Sequence, residues 1–278
     1  MSELIRGKGR THIKSRLMRE SLVDKRVLAA THTDHEIAIL PKVNIVTLGG
    51  HSIMDRGKSA VFPLIDEIAR ARKKHQLIVG VGGGARVRHT FHIALDLGLP
   101  LGGLSMVAGG AEEQNEKMLC ALLAKHNGLP ISKAEFLHLP LHLENGMIPI
   151  MVGMPPYHYW DHPSTFGRLP MNGPDVGMFM VAETLGARSL IYLKDEDGLF
   201  TADPKKDSTA TFIPRIGAGE LLRRDLPDLV IEREVLNLIQ RAHHMKQVQV
   251  INGLVPGRLA AALDGKHVGT IIFQEKTA

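Results

Sequence analysis

Residues 194–204 read KDEDGLFTADP, a polar, turn-rich segment that follows directly on the apolar run Ser189–Leu193. Asp195, Glu196 and Asp197 therefore stand where a buried strand would end. In a parallel α/β sheet, ligands bind outside the carboxyl ends of the strands, so a site is expected here. Gly198 lets the backbone turn, and Pro204 closes the segment by fixing its own φ and withholding a donor. Taken alone, an Asp-Gly turn is equally an ordinary solvated turn, and other stretches must decide between the two.

Two further strand ends carry glycines. Val43–Leu48 reads as a buried strand running into Gly49-Gly50-His51-Ser52. Leu77–Val81 reads as a second, running into Gly82-Gly83-Gly84-Ala85-Arg86-Val87-Arg88. Glycine at a strand end allows backbone N–H groups to approach a phosphate closely, and the arginines add fixed positive charge suited to an oxyanion. Neither loop is a P-loop, which needs Gly-Lys-Ser/Thr, nor a dinucleotide fingerprint, whose glycines are spaced differently. Asp175 opens an expected helix over Val176–Leu185, where the backbone dipole favours an acid; a helix-start role and a site role both remain open for it.

Residues 154–162 read MPPYHYWDH, and prolines and glycines continue to Pro174. This density marks a shaped loop rather than a simple connector. It holds His158 and His162, with His138 and His142 shortly before, and imidazole N–H groups can hydrogen-bond oxo groups. With 15 histidines in the chain, each of these is also readable as a surface residue. There is no HExxH pair and no cysteine–histidine set, so a structural zinc site is not expected.

The elements that must position these residues alternate. Helices are expected over Val61–Ala69, Thr90–Asp96, Glu112–His126, Ile231–Met245 and Leu259–Leu263. Extended segments are expected near Phe136–Leu139, Ile148–Val152 and Val248–Ile251, with a last strand ending at Phe273. Such alternation predicts an α/β fold with a largely parallel sheet covered on both faces. Residues 1–40 form an N-terminal extension whose patches Leu17-Met18 and Val27–Ala30 suit a helix; residues 41–278 form one domain with no clear internal boundary.

Composition narrows the function classes. Hydrophobic residues make up 44% and charged residues 23% of the 278, as in a globular protein. Aromatics at 4% argue against stacking on single-stranded nucleic acid. Much of the net charge of +5 lies in residues 1–26, as Arg6, Lys8, Arg10, Lys14, Arg16, Arg19, Lys25 and Arg26. No nucleic-acid motif accompanies that run, so it reads as a solvated tail and no nucleic-acid partner is expected. The single cysteine, Cys120, leaves no intramolecular disulfide and suits a reducing cytoplasm. No run of about 18 apolar residues suggests a membrane span.

VTLGGHS, VGVGGGARVR, DVGMFMVAE, KDEDGLFTADP and VINGLVPGRLAAALDGKHVGTII together resemble the amino-acid kinase family, in particular its UMP kinase-like branch, over roughly residues 42–273. Within that branch, IMDRGKSAVFPLIDEIARARKKH, ARVRHTFHIALDLGLP, VGMPPY, LKDEDGLFTADPK and QVQVINGLVPGRL are most similar to its molybdenum-storing members, nearer their β-type than their α-type subunit. The resemblance implies a three-layer αβα sandwich of the carbamate kinase-like type. It implies that Gly49 and Gly50 hold the phosphates of Mg2+-bound ATP and that Gly82, Gly83, Gly84 and Arg88 border the second site. It implies that Lys194, Asp195, Asp197, Gly198, Phe200 and Asp203 lie at the ATP base and ribose, with Phe200 replacing a usual tyrosine. Asp175 matches an aspartate that organises the catalytic lysine in the kinases.

That lysine is absent: the family's first-strand lysine is Thr47 here, and a usual asparagine in the second glycine loop is Ala85. A hydroxyl cannot replace an ammonium in stabilising a moving phosphoryl group, and losing such a contact costs on the order of 100-fold in rate. The resemblance thus implies ATP binding with storage of molybdate, polyoxomolybdate or tungstate in a hollow hexamer, with an α-type partner or with copies of itself. His138, His142, His158 and His162 would be oxometalate contacts. The alternatives are a phosphotransferase moving the ATP γ-phosphate to UMP or a small carboxylate, and a nucleotide-dependent regulator.

Overall fold

The computed structural model describes residues 36–154, 164 and 167–275, with the backbone of Leu4–Gly7 and Arg10–Ile13. It divides into residues 1–37 and 38–278. In the first unit, strands β1 (Leu4–Gly7) and β2 (Arg10–Ile13) pair antiparallel. The patches Leu17-Met18 and Val27–Ala30 lie outside the described residues.

The second unit runs β3 (Val43–Leu48), α1 (Lys58–Ala71), β4 (Gln76–Val81), α2 (Ala85–Asp96), α3 (Leu101–Leu123), β5 (Gly128–Pro130), α4 (Leu139–Glu144), β6 (Ile148–Val152), α5 (Pro174–Leu185) and β7 (Ser189–Lys194). It continues with the short antiparallel pair β8 (Leu199–Phe200) and β9 (Phe212–Ile213), then β10 (Arg215–Gly217), α6 (Ala218–Arg224), α7 (Arg233–Arg241), β11 (Gln247–Asn252), α8 (Arg258–Leu263) and β12 (Thr270–Phe273). One eight-stranded sheet takes the order β10-β12-β11-β7-β3-β4-β6-β5. The run from β11 to β5 is parallel, and β12 turns antiparallel against β11, so the sheet is largely parallel.

All six residues of β3 are buried, because strand alternation sends its side chains into two separate cores. Val43 and Ile45 join Val176, Phe179, Leu190, Tyr192 and Leu236 on one face. Val46 and Leu48 join Leu64, Ile68, Leu119, Ile191 and Leu259 on the other. Helices thus cover both faces, giving three layers, and the strand ends of β3, β4 and β7 open at one edge. Among the described residues no helix is long and apolar enough to cross a membrane.

Four local expectations change. Phe136–Leu139 is helical, a 3-10 turn over Lys133–His138 leading into α4. Glu135 reaches back to accept the Ser132 N–H at 2.8 Å, and Pro140 presets φ in the first turn of α4, so capping outweighs the apolar pattern. Helix α2 begins at Ala85 rather than Thr90, which places Arg86 and Arg88 on a helix instead of a loop. Helix α3 begins at Leu101 rather than Glu112, since its buried stripe of small residues, Gly103, Ala108 and Ala111, carries weak apolar periodicity. Helix α7 stops at Arg241 because the Glu183 carboxylate takes the N–H groups of His243, His244 and Met245.

Candidate functional site

The ends of β3, β4 and β7 surround a cavity of about 450 Å³. Its floor is two interlocked loops. A Cβ on Gly50 would lie 2.2 Å from Gly84 N and 2.6 Å from Gly82 O, so only glycine permits these backbones to meet. Gly84 has φ +67°, and a Cβ there would lie 2.5 Å from Asp55 Oδ2. Asp55 links the loops: it receives the Ala85 N–H at 2.6 Å, and its own N–H donates to Gly50 O at 2.9 Å. The start of α2 therefore already holds a carboxylate. Gly49, Gly50, Gly82, Gly83, Gly84 and Arg88 all line the cavity. Arg86 does not line it; its guanidinium bonds to Asn115, which in turn donates to Gly82 O at 2.6 Å.

Asp175, in the first turn of α5, is buried and meets Lys194 Nζ at 3.0 and 2.8 Å through its two oxygens. Tyr192, whose phenol is pushed up by burial, donates to the Asp175 carbonyl at 2.8 Å, and Lys194 Nζ lies 5.9 Å from the centre of its ring. The Glu232 N–H donates to Asp175 Oδ2 at 3.3 Å, while the Glu232 carboxyl accepts the Val176 N–H at 2.9 Å. Burial, and next the Asp175 charge, push the Glu232 carboxyl upward. Thr47 is 1% exposed, and its hydroxyl has no partner among the described residues. It lines the cavity beside Asp175 and Lys194, so the cation in this part of the wall comes from β7 rather than β3.

The acidic segment after β7 is tied by its own cations. Asp195 accepts from Arg56 at 2.5 Å and Lys205 at 3.0 Å. Burial acts to raise its pKa and is outweighed by these bonds, which hold it below the usual carboxylate value. Asp197 meets Arg258 and Asn252, Glu196 meets Lys205, and Asp203 meets Lys206. Gly198, at φ +146°, leaves room for Thr270 Oγ1, which accepts the Leu199 N–H at 2.8 Å. Phe200 packs on Phe212 at 5.5 Å. Lys194 and Asp195 line the cavity; Asp197, Gly198, Phe200 and Asp203 lie outside its wall.

His138 and His142 sit 6.4 Å apart, ring centre to ring centre, at the end of the 3-10 turn and in α4, and neither lines the cavity. His158 and His162 lie outside the described residues. Among the described residues no group of three or more His, Cys, Asp or Glu stands together in a way that could hold a metal ion. The sequence reading missed Asp55, Glu112 and Glu232. Glu112 had a signal: with Ala108, Asn115 and Leu119 it completes a stripe at helical spacing, where an acid is out of place.

A largely parallel α/β sheet with two glycine loops at the carboxyl ends of its strands places its cavity where ligands bind in open α/β domains. The amino acid kinase family model matches residues 42–255, and the chain belongs to that family. It is 46% identical over 257 residues to the molybdenum storage protein subunit beta of Azotobacter vinelandii, covering 92% of this chain and 95% of that one. It is 28% identical to the uridylate kinase of Methanothermobacter thermautotrophicus, over 83% of this chain and 99% of the kinase. The UMP kinase structure from Bacillus anthracis superimposes with a TM-score of 0.68 at 20% identity, over 86% of this chain and 98% of that one.

Proposed function

We propose that this chain is a β-type molybdenum storage subunit. It binds ATP with Mg2+ in the strand-end cavity and, with an α-type partner, encloses polynuclear oxomolybdate in a hollow cytoplasmic oligomer. The observation that carries this reading is the 46% identity to a storage subunit over nearly the whole of both chains. Thr47 supports it, since a strand-end hydroxyl in place of a lysine suits holding a phosphate better than transferring one. The glycine loops suit a phosphate chain: Gly50 lets the two loops pack backbone to backbone, and Gly49, Gly50 and Gly82–Gly84 leave backbone at the surface of the cavity.

Elemental analysis tests the reading. The chain, co-expressed with its α-type partner, is incubated with Mg-ATP and molybdate and then desalted, against a control without ATP. Many molybdenum atoms per chain are expected. Retention at the control level, together with rapid UMP-dependent ADP formation, would reverse the ranking in favour of a kinase. If His138, His142, His158 and His162 contact the cargo, replacing all four with alanine lowers retained molybdenum and leaves ATP affinity unchanged. Unaltered metal content in that variant removes them from the cargo site.

A further inference from the structure

Glu112 projects from α3 into the wall of the cavity and is 0% exposed. Its Oε2 accepts the Met154 N–H at 2.8 Å, while Oε1 is buried with no hydrogen-bond partner among the described residues. Leaving a buried polar atom unpaired is costly, so its presence in a cavity wall points to a ligand.

The charges in the wall indicate which ligand. Fully ionised, Glu112, Asp175, Asp195 and Glu232 give −4 against +2 from Arg88 and Lys194, a net −2 with His51 neutral. Lys194 is committed to Asp175. Such a wall repels anions, although its glycine loops are shaped to receive one. A proton on Glu112 removes one negative charge and changes Oε1 from an acceptor into a donor. The Met154 N–H fixes Oε2 as the acceptor, so the proton belongs on Oε1.

We propose that Glu112, as the neutral acid, donates its Oε1–H to an oxo group of a tetrahedral oxyanion seated between Gly82–Gly84 and Arg88, and that ionisation of Glu112 expels this ligand. This rests on reading the cavity as an oxyanion site. The ligand is a free oxometalate or the phosphoryl group of a nucleoside monophosphate, which share the same acceptor oxygens.

Burial pushes the Glu112 carboxyl up to about 8, opposed chiefly by the Met154 N–H and aided by the Glu232 and Asp175 charges. The other charged groups around it are Arg86 and Arg88 on α2, Glu113, Glu116 and Lys117 on α3, His51 after β3, Lys194 and Asp195 at the end of β7, and Glu232 ahead of α7, which burial and the Asp175 charge also push up to about 8. Glu116, pushed up to about 7 chiefly by burial, titrates close by and lies outside the cavity wall, so it serves as a control. The sign follows: the anion binds the protonated form, so affinity is full below about pH 8 and is lost as pH rises through that value.

Calorimetric titration of the full chain with sodium molybdate, and separately with UMP, reads this between about pH 6.5 and about pH 9.5. Molybdate stays fully ionised across that range. Affinity is expected to fall about tenfold per pH unit above about 8, with uptake of about one proton per anion bound, measured in two buffers of different ionisation enthalpy. Glu112→Gln keeps an acceptor for Met154 and a donor for the ligand, so it binds at neutral pH and loses the fall, whereas Glu232→Gln, at the other wall acid raised to about 8, retains it. Glu116→Gln retains it. A flat wild-type profile, a fall that persists in Glu112→Gln, or failure of both anions to bind at neutral pH would overturn the proposal. A pH-dependent response to UMP without retained molybdenum would reject storage and leave the role of Glu112 standing.

Discussion

Gly50→Ala is expected to lower ATP affinity about 100-fold, because its methyl forces apart the two glycine loops proposed to hold the phosphates. The added methyl would lie 2.2 Å from Gly84 N, 2.6 Å from Gly82 O and 2.7 Å from Gly82 C. All three are backbone atoms, so no side-chain rotation relieves the clash. The loops after β3 and β4 must separate, and the Ala85 N–H bond to Asp55 Oδ2 that ties them is strained as they do. Overpacking of this kind costs about 1–3 kcal/mol of stability, less than would unfold a domain of this size. The variant should therefore remain folded by circular dichroism while failing to bind ATP in calorimetry. Gly110→Ala is the matched control: this exposed helical glycine has open space around its missing Cβ, and alanine there stabilises by roughly 0.5–1 kcal/mol. Wild-type affinity in Gly50→Ala would show that the nucleotide does not use the loop.

The strands that position the cavity were legible because they are buried on both sides. Val43–Leu48 is apolar but for Asn44 and Thr47, and Leu190–Leu193 is apolar throughout; such runs in an alternating chain are parallel central strands. The glycine loops were legible because they recur at two strand ends and the second is followed by arginines; a single strand-end glycine usually serves only a turn. What lay beyond the sequence was how charges pair across long chain separations. Asp195 reads as a candidate for a ligand, yet Arg56 and Lys205 already engage it, one of them 139 positions away. Glu232 precedes a helix in an ordinary charged stretch, and only the fold brings it against Asp175. Helix α3 hid its start because most of its buried positions there, Gly103, Ser105, Ala108, Gly109 and Ala111, are small, so close packing replaced the apolar periodicity that marks a helix.

Lys194→Met should be the most destabilising single change at the site. The substitution keeps much of the aliphatic stem and deletes only the ammonium, which leaves the Asp175 carboxylate, 7% exposed in its side chain, without its cation. Breaking a buried pair by removing one partner costs about 3–5 kcal/mol, most of it the cost of the stranded charge. At this chain length, that corresponds to a fall in Tm of roughly 6–20 °C. Asp175 would then face Glu232 unshielded, and the Glu232 N–H, at 3.3 Å, is too weak a partner to compensate. Lys194→Met with Asp175→Asn removes both charges together and should recover a substantial part of the loss, with a coupling of about 1–3 kcal/mol in the double-mutant cycle. Additive losses in that cycle would mean that the two side chains stabilise the fold independently. The cycle also separates stability from binding. With Thr47 on β3, Lys194 is the ammonium in the described cavity wall, so the double variant should regain its fold without regaining ATP affinity. Recovery of both would assign the phosphate contact to Arg88 and the glycine loops alone.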